Sequence, residues 1–63
     1  MNVQINFKND KLAVVENLKE VYAGRKTISE PYNGLLVPNC DLTFIGNTTV
    51  CCNSNDVLFI TIK

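Results

Sequence analysis

The chain contains no histidine and no tryptophan. Without histidine, the side chain most often used for proton transfer near neutral pH is missing, and so is the commonest metal-binding imidazole. Cysteine is scarce as well: Cys40, Cys51 and Cys52 form an odd set with two members adjacent. With no Cys-x-x-Cys pair, the chain cannot assemble the four soft ligands of a structural zinc site by itself. Neighbouring residues on a strand point to opposite faces, which opposes a Cys51–Cys52 bond. The three thiols read as small apolar packing residues, and no metal or other cofactor is expected.

Charge of one sign is also lacking, with six basic residues against six acidic ones. A dedicated nucleic-acid binder draws much of its affinity from neutralising phosphates, so this balance argues against one. No apolar run approaches the ~18 residues of a membrane span, so no membrane partner is expected. Met1-Asn2-Val3-Gln4-Ile5-Asn6 has no basic flank leading into an apolar run, so a secretory leader is not expected and a reducing, cytoplasmic setting is. No Gly-rich loop joins a strand to a helix, and neither Ser29 nor Ser54 lies in a Gly-x-Ser-x-Gly turn. These gaps together predict a protein that is not an enzyme.

What is present fits one domain spanning residues 1–63. A chain of this size buries only about 60% of the surface its unfolded form exposes. With disulfide and metal set aside, self-association is the expected source of extra stability. Asparagine occurs nine times and lysine outnumbers arginine five to one. A-rich codons produce that bias, which suggests a low-GC bacterium, a phage or a mobile element.

Val3–Phe7 alternates apolar and polar residues, as a half-buried strand does. Asn9 and Asp10 then suit the start of a helix, where a side-chain oxygen meets free amides. From Lys11 to Ala23, Val14, Val15, Leu18, Val21 and Tyr22 fall on one side of a helical wheel, with Gly24 as the left-handed terminator. Tyr32-Asn33-Gly34-Leu35 carries the Asn-Gly hairpin signal, pairing Thr27–Tyr32 with Leu35–Val37 at a sheet edge marked by Pro31 and Pro38. Leu42–Ile45, Thr48–Cys52 and Val57–Ile62 follow, separated by Gly46-Asn47 and Asn53–Asp56. The expected fold is α+β: one amphipathic helix packed on a mostly antiparallel sheet, in the order β-α-β-β-β-β-β, ending in a three-stranded meander. A small curled β-barrel with one helix is the alternative.

A two-residue Gly46-Asn47 turn would place Leu42, Phe44, Cys51, Leu58, Ile60 and Ile62 on one face. Ile45, Val50, Cys52, Val57 and Phe59 would then emerge on the other, more apolar surface than a single helix can cover. A curled sheet, a folded-over hairpin or a register slip of one residue would each absorb that excess. The sharper reading makes those five residues a partner or dimer surface. Glu16 and Glu20, one helical turn apart, form a candidate acidic docking face. Lys8, Lys11, Arg25 and Lys26 are candidate phosphate contacts. The function expected is a non-enzymatic protein-interaction module, a homodimer and/or the partner of a larger protein, such as a phage-encoded or bacterial accessory inhibitor. The alternative is a small nucleic-acid-binding or regulatory module.

Overall fold

The computed structural model describes residues 1–29 and 38–63. Seven strands run in the order β1 (Val3–Phe7), β2 (Leu12–Val15), β3 (Glu20–Ala23), β4 (Lys26–Ile28), β5 (Asp41–Ile45), β6 (Thr49–Asn53) and β7 (Val57–Ile62), with one 3-10 turn, Ser54–Asp56. All pairings are antiparallel and form two sheets, β2-β1-β7 and β4-β3-β5-β6. Their inner faces share one core. Val3, Ile5 and Val15 of the first sheet and Val21, Leu42 and Phe44 of the second are fully buried, and Val57 is nearly so.

The helix expected over Lys11–Ala23 does not form, which overturns the α+β reading and its one-helix barrel alternative. That stretch is two strands of different sheets, β2 and β3, joined by residues 16–19. Three local features favour this outcome. Asp10 and Asn17 adopt left-handed backbones at φ 67° and 54°, which no helix accommodates. Valine at 14, 15 and 21 favours the pleated backbone over the helical one. The connection is also bonded to other elements, with Leu18 N donating to Met1 O at 2.7 Å and Lys19 N to Ile45 O at 2.7 Å. The helical stripe was an accident of spacing: Val15 and Val21 point into the core from two sheets, while Leu12 and Val14 face outward.

Lys8-Asn9-Asp10 closes a three-residue hairpin instead of opening a helix. Asp10 takes the left-handed position usual for such loops, and Asn9 Oδ1 accepts from Lys11 N at 3.1 Å. Gly24 is left-handed, as the sequence suggests, at φ 64°, but it turns β3 into β4.

The C-terminal meander is also corrected. Strands β5 and β6 pair, but around a three-residue loop at 46–48, so Leu42 opposes Cys52, Thr43 opposes Cys51 and Phe44 opposes Val50. The expected register was one residue out, and the side chains of β6 exchange faces accordingly. Strand β7 leaves the pair entirely and lies against β1. The 3-10 turn directs that exit. Asn53 Oδ1 accepts from Asn55 N at 2.9 Å, buried Ser54 bonds both ways with the Cys40 backbone, and Lys8 N donates to Asp56 O at 2.9 Å. The expected Asn33-Gly34 hairpin lies outside the described residues.

Candidate functional site: the outer face of the three-stranded sheet

The first sheet buries one face and bares the other. Its outward residues are Gln4 and Asn6 on β1, Leu12 and Val14 on β2, and Leu58, Phe59 and Thr61 on β7. Register aligns them into rows. Leu12, Asn6 and Phe59 stand side by side across the three strands, and Val14, Gln4 and Thr61 form the next row. Pairing slips at Asn6/Phe7, where Phe7 opposes Val57 while Asn6 opposes Phe59. Leu58 is the extra residue of that bulge, and a bulge turns two consecutive side chains to the same side. Leu58 and Phe59 are consequently both outward, 58% and 49% exposed, beside Leu12 at 57% and Val14 at 47%.

None of these seven outward residues carries a charge. A sheet with one solvated face ordinarily alternates apolar inside with polar outside. Strand β2, Leu-Ala-Val-Val, departs from that rule along its whole length. At the centre of the patch, the Asn6 side-chain nitrogen is shielded from solvent and has no hydrogen-bond partner among the described residues. A shielded amide left unpaired costs about 1–3 kcal/mol.

The five residues expected to form a partner surface are not brought together. Val57 is a core residue, and Val50 and Cys52 pack against the core from β6. Ile45 is half-buried at the end of β5, and Phe59 alone of the five is exposed. Leu12, Val14 and Leu58 were not expected on this surface: Val14 belonged to the helical stripe and Leu58 to the opposite sheet face. Period-two spacing of Leu12 and Val14 after an Asn-Asp turn was the available signal, masked by the apolar residues between them.

Glu16 and Glu20 share no helical face. Glu16 lies in the β2–β3 connection, and Glu20 opens β3, where it accepts the Tyr22 hydroxyl. That bond and the nearby carboxylate charge hold the Tyr22 phenol above its usual pKa. The four candidate phosphate contacts separate into two turns. Lys8 and Lys11 flank the β1–β2 hairpin loop, whereas Arg25 and Lys26 belong to the β3–β4 turn.

All three cysteines are free. Cys51 is exposed and Cys52 half-buried, the opposed faces expected of strand neighbours, and Cys40 is half-buried. Burial, with smaller contributions from Cys51 and Asp56, raises the Cys52 thiol pKa. Among the described residues no three of histidine, cysteine, aspartate and glutamate cluster to hold a metal, and no helix is long and apolar enough to cross a membrane.

Comparison with protein-family models, with curated proteins and with solved structures returned no match.

Proposed function

We propose that the chain is a non-enzymatic protein-interaction module whose outer β2-β1-β7 face docks on a second copy of itself. The observation that carries this reading is the uncharged outer face on which Leu12, Val14, Leu58 and Phe59 are each about half exposed. A two-fold interface presents the same patch from both sides, so residues near the axis meet their own counterparts. The absence of charge across the face leaves nothing to repel.

Size sets the expected strength. Three strands ~4.8 Å apart and five residues long at ~3.4 Å each present a face of roughly 14 by 17 Å. That is well below the ~800 Å² per partner of a standard stable interface, even allowing for side-chain relief. Self-association should therefore be concentration-dependent, not obligate. Binding to a larger protein through the same face, as an accessory inhibitor would do, is the extension of this reading.

Light scattering after size exclusion tests it. At high micromolar concentration the mass should rise towards twice the 7.0 kDa of the chain. Phe59→Asp should hold it at one chain while leaving unfolding free energy within about 0.5 kcal/mol, as expected of an exposed position. A wild-type chain that stays monomeric at every concentration contradicts the proposal.

A further inference from the structure

A second feature borders the dimer patch at Leu12, in the seam between the β1–β2 hairpin and β6. A cavity of about 550 Å³ opens there. That volume falls within the ~300–1,000 Å³ typical of small-molecule sites. Its lining is mixed in chemistry: Phe7, Leu12 and the two cysteines of β6 are apolar, and Lys8, Lys11 and Asp56 are charged.

The charges are unequal, two ammonium groups against one carboxylate, and neither lysine is held in an ion pair among the described residues. The backbone adds little to the anion-binding capacity of the turn, since three of its four amides are already engaged. Lys8 N already donates to Asp56 O, Asp10 N to Phe7 O, and Lys11 N to Asn9 Oδ1. A phosphate, which is best held by several converging amides, finds no such cradle. An anion with few oxygens and an apolar body fits both kinds of lining residue. Lysine suits such a role as a flexible point charge on an apolar stem.

We propose that this cavity binds a small amphipathic anion, its carboxylate between Lys8 and Lys11 and its apolar part against Phe7 and Leu12. The site shares Leu12 with the dimer face, so binding is measured at dilutions where the chain is monomeric.

Octanoate is the probe, followed by amide chemical shifts of the whole chain. Saturable shifts are expected at residues 7–12 and 51–56. A Lys8→Gln/Lys11→Gln double variant should weaken binding at least about tenfold, the effect of losing a charge-assisted contact. Asp56→Asn should tighten it, and Phe59→Asp should leave it unchanged. The uncharged analogue 1-octanol and inorganic phosphate should each bind at least about tenfold more weakly than octanoate, since each satisfies only one kind of lining residue. The proposal is overturned if octanoate shifts centre on Leu58 and Phe59, if the double variant binds as tightly as wild type, or if phosphate matches octanoate. Because both lysines are exposed, the amide spectrum of each variant shows directly that the fold persists.

Discussion

At Gly46 the end of β5 passes so close to the β2–β3 connection that no side chain fits. A Cβ there would lie 2.5 Å from the Glu16 carbonyl oxygen and 2.8 Å from Val15 Cγ1. Asn47 N donates to that same Glu16 oxygen at 2.8 Å, so the carbonyl is held in place and cannot yield cheaply. Gly46→Ala should destabilise the chain by about 1–3 kcal/mol, measured as a lowered urea midpoint with an unchanged slope. A variant as stable as wild type would show that the two sheets are not joined at this point. Turn chemistry identifies Gly46 in the sequence as a loop residue, but for a different reason. Its role is close approach between sheets, and a long-range neighbour leaves no trace in local sequence.

Between elements, Asn17 separates the two descriptions of Lys11–Ala23. In a helix, Asn17→Ala would be stabilising, since alanine has the higher helical propensity. In the observed connection residue 17 sits at φ 54°, where an alanine Cβ costs roughly 1–2 kcal/mol. Equilibrium unfolding of Asn17→Ala should accordingly show a loss of about 1 kcal/mol, and Asn17→Gly should be better tolerated. A stabilised alanine variant would restore the helix.

Strands β1, β5, β6 and β7 were legible because turn residues bound them and their residues favour strands. The β2–β3 region was not. Alternation reveals a strand only when its two faces differ, and β2 is apolar on both. The helical stripe of that segment and the exposed apolar patch thus have one cause, the outward Leu12 and Val14. The wrong partner of β7 has another. The Ser54–Asp56 turn carries the chain to β1, some fifty residues away in sequence, through bonds from Ser54 to Cys40 and from Lys8 to Asp56 that no local pattern announces. The apolar excess expected on the second face of the meander is largely taken up within the monomer, because a register one residue out in β6 and a different partner for β7 moved Val50, Cys52 and Val57 inward and left Phe59 outside.

For the whole molecule, a core with seven buried apolar residues among those described, set between two small sheets, leaves little reserve of stability. Covering the β2-β1-β7 face would bury the half-exposed Leu12, Val14, Leu58 and Phe59. The most direct measurement is an isotope-filtered proton NMR experiment on a mixture of labelled and unlabelled chains at high concentration. Cross-peaks between the Phe59 ring of one copy and the Leu12, Val14 or Leu58 methyls of the other are expected, together with an altered Asn6 side-chain amide signal on dilution. Intermolecular contacts confined to another surface, or none at concentrations where light scattering reports a dimer, would contradict the assignment of this face as the interface.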